Sequence, residues 1–123
     1  MLLLRSQRGF TLIELIAILV ILGVLASIAV PKYYDITTES QNRAALQAVT
    51  EGKARLSLNY AKLFLENASP PGTSSLVDAV GTSTSIGDYM LNLSVEGVST
   101  IKIKATGKAG VPGTNSGLWF MPR

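Results

Sequence analysis

The chain has 123 residues, 47% of them hydrophobic and 15% charged, with a formal net charge of +3. That length is one domain's worth, and the absence of Cys and His excludes disulfides, lipidated Cys, thiolate or His metal sites and the Ser-His-Asp and Cys-His catalytic sets. A mean hydropathy of +0.34 in so short a chain points to a membrane segment instead of a larger core, and the charge is too small to argue for a nucleic-acid partner.

The apolar residues are concentrated at the start. Residues 10–30 read FTLIELIAILVILGVLASIAV, and Glu14 is the one charge among them. As a helix rising ~1.5 Å per residue, this run is about as long as a bilayer's hydrocarbon core is thick. Arg5 and Arg8 precede it with no acid among the first nine residues. Positive charge before a first span keeps that end in the cytoplasm and sends the C-terminal part across. The segment reads in three ways. It is an uncut single-span anchor, or a conventional secretory signal with Ser27 and Ala29 as small cleavage-site residues, or a signal cut ahead of the apolar run. The second reading fits poorly, because the run exceeds the usual ~7–15 residues and contains an acid.

Residues 8–15 read RGFTLIEL, and ILGVLASIAVPKYYD completes the segment. This pattern of basic leader, Gly9-Phe10 junction, Glu14 four residues into the run, Gly23 and Pro31 resembles the class III signal of the type IV pilin and pseudopilin family. The resemblance covers residues 5–35. It implies that a prepilin peptidase cuts between Gly9 and Phe10 on the cytoplasmic side and methylates the new amine of Phe10. It also implies that the hydrophobic helix stays on the protein, which is stored in the bacterial inner membrane. An assembly ATPase and a platform protein then pack it into a helical filament of identical subunits. The destination is an extracellular pilus or a periplasmic pseudopilus.

Physical chemistry gives Glu14 a role in that picture. An acid within hydrocarbon costs ~2.5–3.5 kcal/mol on insertion scales and normally finds a partner. The span holds no cation. The ammonium of a processed Phe10, most usefully on a neighbouring subunit, would neutralise Glu14 and set the axial register between helices; the alternative is that Glu14 snorkels to the interface. Pro31 removes one helical hydrogen bond, formally to the Ser27 carbonyl, so a kink or short melted stretch is expected between Gly23 and Pro31. The alternative is that Pro31 marks the membrane boundary.

From residue 31 to about residue 67 the sequence predicts an amphipathic helix continuing the first one. Leu46, Val49, Leu56, Tyr60, Leu63 and Phe64 recur at near-helical spacing, and Glu39–Arg43 and Glu51–Arg55 are favourable i,i+4 pairs. Asn67-Ala68-Ser69-Pro70-Pro71-Gly72 is a stop. Joined to the anchor, this helix is too long to bury itself in so small a protein, so lipid or other copies must cover its first half. Leu76–Val80 suggests a short helix capped by Ser74 or Ser75.

The period then changes to two. Tyr89, Leu91, Leu93 and Val95 alternate with polar residues, as do Ile101, Ile103 and Ala105, with Glu96-Gly97 as the hairpin turn. Residues 118–121 form a third strand after a loop over residues 108–117. The expected architecture is α+β: a leader (residues 1–9), a transmembrane and assembly helix (10–30), an amphipathic helix (31–67) and a three-stranded antiparallel head (68–123). Everything from residue 31 is one globular domain.

Many pilins staple the last loop with two cysteines. Here the end of the sheet is expected to be held by packing through Trp119 and Phe120, or by neighbouring copies. The loop over residues 108–117 contains no acid, which weighs against the calcium site common in major pseudopilins; no cofactor or metal is expected. Lys102, Lys104 and Lys108 read better as a solvated strand face than as a nucleic-acid site, and Tyr33 and Tyr34 as interface anchors. The leading expectation is a filament subunit of the pilus type and not an enzyme. The alternatives are a pseudopilin of a type II secretion system and, from another class, an anchored binding module that does not polymerise.

Overall fold

The computed structural model describes residues 9–122, so the leader arginines Arg5 and Arg8 lie outside the described residues. The chain divides into two compact units between Ile36 and Thr37. Helix α1 (Leu12–Asn67, 56 residues) is assigned as helix through both, with Pro31 inside it.

In the first unit every described residue is exposed. An 18-residue window of α1 reaches a mean hydropathy of 2.8 with none of its residues buried. Leu, Ile and Val leave no polar face along this stretch, so no direction around the helix is suited to water. The helix is unbroken at Gly23 and Pro31. Ser27 Oγ donates to the Val24 carbonyl at 2.7 Å, a local bond available to a helical serine.

The second unit packs the rest of α1 and a short helix α2 (Thr73–Val80) on a four-stranded sheet. The strands are β1 (Ser83–Ile86), β2 (Tyr89–Val95), β3 (Thr100–Gly107) and β4 (Thr114–Phe120), in the order β1-β2-β3-β4 and all antiparallel. The strand count is therefore four, not three. The missed strand is Ser-Thr-Ser-Ile, which lacks an apolar alternation. It exists because Ser83 and Thr84 can pair with Asn92 and Leu91 at the edge of an already formed β2. β4 begins at Thr114, so the preceding loop is shorter than expected. α2 is preceded by Gly72 as its N-cap, not Ser74 or Ser75, and no side chain caps it.

Alternation places Tyr89, Leu91 and Leu93 of β2, Ile101, Ile103 and Ala105 of β3, and Trp119 of β4 on the helix-facing side, all buried. They meet Ala45, Ala48, Val49, Gly52 and Leu56 of α1 and Leu76 and Val77 of α2. The buried stripe of α1 thus runs through small residues. At about 100° per residue, Leu46 and Phe64 lie roughly 80° away from Leu56, and both are exposed. The periodic face read from large side chains alone was rotated toward them. Small residues face the sheet because the backbones approach closely. A Cβ on Gly52 would lie 2.8 Å from Leu91 Cδ1 and 3.2 Å from Ile103 Cγ2, and one on Gly117 would lie 3.0 Å from Val49 Cγ1.

The C-terminal end is held without a disulfide. Trp119 Nε1 donates to Ser57 Oγ at 3.0 Å, Tyr60 leans on the Trp119 ring at 6.2 Å between centroids, and the Met121 N–H donates to the Ser99 carbonyl at 2.9 Å. Phe120 takes no part, being 65% exposed, because alternation turns it to the outer face of β4. Salt bridges Glu39–Arg43 and Glu51–Arg55, at 3.0 and 3.1 Å, lie on exposed flanks of α1 and add about 0.3–0.5 kcal/mol each. The helix ends at Asn67, and Ala68 just past it has a left-handed φ of 49°, the position where glycine is favoured.

Two substitutions test this packing by thermal unfolding of the full chain in detergent. Gly52→Val should lower stability by about 1–3 kcal/mol through overpacking, and Gly52→Ala by less, because alanine recovers about 1 kcal/mol of helix propensity. Ala68→Gly should raise stability by roughly 1 kcal/mol. Unchanged melting for Gly52→Val would refute the close helix–sheet contact.

Candidate processing and assembly site

Helix α1 does not begin at the apolar run's first residue. Thr11 precedes the first helical residue, Leu12, and its carbonyl accepts the Leu15 N–H at 3.3 Å, which makes Thr11 the N-cap. The Thr11 hydroxyl accepts the Glu14 N–H at 3.3 Å, while Glu14 Oε2 accepts the Thr11 N–H at 2.7 Å and the Thr11 hydroxyl at 2.9 Å. This is a reciprocal capping box: two of the helix's otherwise orphaned N–H groups are satisfied by the two side chains. An acid at this end also meets the positive end of the helix dipole.

Two consequences follow for Gly9 and Phe10. Both lie outside the helix and are exposed, so the Gly9–Phe10 peptide stands in non-helical backbone immediately before the cap. Phe10, 78% exposed, covers nothing. A Cβ built on Gly9 meets no described atom within 4 Å. Among the described residues nothing packs against position 9 closely enough to exclude a side chain.

Sequence reasoning singled out Glu14 for a partner on another chain and missed its partner within this one. The signal was present as Thr-x-x-Glu, the capping-box spacing, but an acid in an apolar run draws attention to charge before it draws attention to the backbone. Glu14 Oε2 is engaged in this structure; among the described residues no hydrogen bond is recorded to Oε1. Gly23 and Pro31 sit further along the helix and are not part of this cluster. A second apolar stripe lies on α1 within the second unit: Ala54, Leu58, Ala61 and Leu65 follow helical spacing and are all exposed, on the side away from the sheet. Among the described residues no group of three or more acidic side chains converges on a point that could hold a metal ion.

Comparison with known proteins places these features in a family. Residues 4–30 match the prokaryotic N-terminal methylation motif, a segment containing Gly9, Phe10, Thr11 and Glu14. The chain is 36% identical over 89 residues to a fimbrial protein of Pseudomonas aeruginosa, covering 64% of this chain and 58% of that one. It is 30% identical over 115 residues to the type IV major pilin protein PilE of Neisseria gonorrhoeae, covering 92% and 66%. It is 29% identical over 143 aligned positions to the type II secretion system core protein G of Klebsiella michiganensis, covering 97% of each. The chain therefore spans about three fifths to two thirds of the length of those two pilins. No solved structure matches it.

The capping box predicts a specific lesion. Thr11→Ala removes the N-cap oxygen and should cost roughly 1 kcal/mol at the helix start, read as faster amide exchange at Ile13, Glu14 and Leu15 in detergent with the sheet unaffected. Exchange unchanged at those three amides would contradict the cap. With the motif at its N-terminus, a long apolar helix leading into an antiparallel sheet, and relatives of both kinds, the chain belongs to the type IV pilin and pseudopilin family.

Proposed function

We propose that this protein is the structural subunit of a type IV pilus-like filament. It is held in the membrane by residues 10–30 and polymerised through the same residues once the leader is removed. The observation that carries this reading is the stretch of α1 from Leu15 to Val30, without a charged residue and with nothing among the described residues covering it. Burying each Leu, Ile or Val side chain is worth about 1.5–3 kcal/mol. An uncovered helix of this kind is stable only in lipid or among other apolar helices. The exposed stripe Ala54–Leu58–Ala61–Leu65 adds apolar surface of the same kind.

In this reading a prepilin peptidase cuts between Gly9 and Phe10. The freedom of space around Gly9 supports it, since a glycine against which no described residue packs is explained by an enzyme that must approach the backbone closely. The new ammonium of Phe10 then pairs with Glu14. Thr11 engages Oε2, leaving Oε1 for an ammonium from a neighbouring copy; that pair neutralises both charges in an environment where each alone is costly. Gly23 and Pro31 mark where the helix would unwind or kink when copies pack. The division of labour is a leader (residues 1–9), an assembly helix (10–30), an amphipathic helix (31–67) and a head (68–123). The cell supplies an inner-membrane platform and an ATPase, and the product is exposed as a pilus. The role is structural rather than enzymatic.

A second reading, that of a pseudopilin forming a periplasmic filament in a type II secretion system, is favoured by one finding: the match to core protein G runs over nearly the whole of both chains. Fractionation separates the two, since a pilus is sheared from the cell surface and a pseudopilus is not.

Two measurements test the main reading. Mass spectrometry of protein from cells containing the peptidase should give a mature chain of 114 residues beginning at a methylated Phe10; an intact leader, or a chain starting at Val30, would contradict it. Glu14→Ala should abolish filaments while leaving the membrane-anchored monomer at normal abundance. Filaments at normal yield from that variant would remove Glu14 from assembly, and surface display without any filaments in the unaltered protein would favour an anchored binding module.

A further inference from the structure

We infer that the outer edge of β4, with the flank of α1 beside it, is a docking slot for an extended segment of another protein, one that carries a carboxylate between apolar residues. β4 is the last strand of the sheet and pairs on one side only. The Gly107 N–H donates to the Gly113 carbonyl and the Met121 N–H to the Ser99 carbonyl. Bonding in an antiparallel ladder alternates. Asn115, Gly117 and Trp119 therefore bond to β3, and Ser116, Leu118 and Phe120 turn their N–H and C=O groups outward. Asn115 Oδ1 accepts the Ser116 N–H at 2.8 Å. From the Ser116 carbonyl to Phe120, the edge is a row of backbone donors and acceptors with no strand beside it among the described residues. Edges are normally blunted by a charge, a proline, a bulge or a very short strand. β4 has none of these: it runs for seven residues, TNSGLWF, in continuous register with β3.

The strip of α1 next to β4 has matching features. The Ser57 hydroxyl accepts the Trp119 Nε1–H, and a Cβ on Gly117 would lie 3.2 Å from Lys53 Nζ, so this strip follows the strand. At about 100° per residue, Leu46 and Phe64 project within roughly 20° of Lys53. Both are large, apolar and exposed, and so are Leu118 and Phe120 on the outer face of the sheet. A strand added to β4 places alternate side chains on these two faces, apolar ones toward Leu46 and Phe64 on one and toward Leu118 and Phe120 on the other. The added residue opposite Gly117 faces the ammonium of Lys53. Lys53 is half-buried, and among the described residues its ammonium has no carboxylate or hydrogen-bond partner.

That ammonium decides between occupants. Two copies pairing β4 with β4 about a two-fold axis near Gly117 would bring two Lys53 side chains together with no acid between them, and like charges across an interface reject a partner. Glu51, two residues before Lys53, is already paired with Arg55. A foreign segment with an acid at this one position supplies the missing charge. Backbone hydrogen bonds along an edge give affinity, and the alternating side chains give the choice of partner. The slot lies wholly within the second unit and is present whether or not the chain forms filaments.

The experiment is residue-resolved amide exchange on the full-length chain in detergent micelles, with a blocked heptapeptide, Thr-Val-Val-Glu-Val-Val-Thr, as the probe. Without peptide, the Leu118 and Phe120 amides should exchange at least about 10-fold faster than those of Gly117 and Trp119, which bond to β3. Saturating peptide should slow Leu118 and Phe120 by about 10-fold or more and leave β2 unchanged. The same peptide with lysine in place of glutamate should bind about 10-fold more weakly or worse, and Lys53→Glu should reverse that preference. Leu118→Pro removes an outward donor and no bond to β3, so it should abolish the protection at Phe120 with the rest of the sheet intact. If that variant does not fold, a peptide N-methylated on alternate residues, in either phase, removes the same bonds from the other side and should lose binding to the unaltered protein. Leu118 and Phe120 amides protected without peptide at every protein concentration would show that the chain covers its own edge. Protection that appears only as the protein is concentrated would show that a second copy does. Either result overturns the slot, as do edge amides that the peptide leaves unprotected, equal binding of both peptides, or a preference that Lys53→Glu does not move.

Discussion

The structure depends on one imbalance: an apolar helix surface with nothing among the described residues to cover it. A head of four short strands and two helical pieces buries one stripe of α1, from Ala45 to Leu56, and the described residues before Thr37 are all exposed. In water those side chains would stand exposed from Leu12 to Ile36. In the proposed filament the surroundings supply what the fold does not, first as hydrocarbon and then as other copies. Helix packing between copies would there give an interface whose two sides differ, and such interfaces build open helical arrays instead of closed rings when the rotation does not close.

The helix start carries the chemistry, and there the same few atoms serve two purposes. Glu14 completes the capping box with Thr11 and, in the proposed filament, remains able to meet an ammonium. An intrachain hydrogen-bonded state lowers the cost of keeping the acid near the membrane before assembly, since a polar group with a partner is far cheaper to bury than one without. The cap also ends the helix before Phe10, which leaves the bond after Gly9 in backbone that an enzyme can reach.

Much of this was legible in the sequence. The apolar run, the junction residues, the helix end near Asn67 and the two central strands all carry strong local signals: continuous hydrophobicity, Gly-Phe with a placed acid, a Pro-Gly stop, and strict alternation around Glu96-Gly97. What was not legible depends on distance in three dimensions. Strand β1 has almost no apolar content and is defined by β2 beside it. Leu46 and Phe64 follow the helical period yet stay exposed, because the close approach at Gly52 and Gly117 selects small residues for the buried face. Phe120 was assigned to the core with Trp119, though neighbours in a strand point to opposite faces. The hydrogen bonds to the Gln41 and Asn42 carbonyls join residues 48 and 73 positions apart, and no local pattern announces them.

The central claim is that residues 12–30 are buried among identical copies in the assembled state. Because the chain has no cysteine, a pair introduced at Ile16→Cys and Leu19→Cys reports on that directly. Oxidation of sheared or extracted filaments should give a ladder of disulfide-linked dimers and higher multimers. Membranes holding the unassembled subunit at the same density should give almost none. Filaments whose subunits remain uncross-linked through this helix, yet cross-link through cysteines placed in the head, would contradict the account.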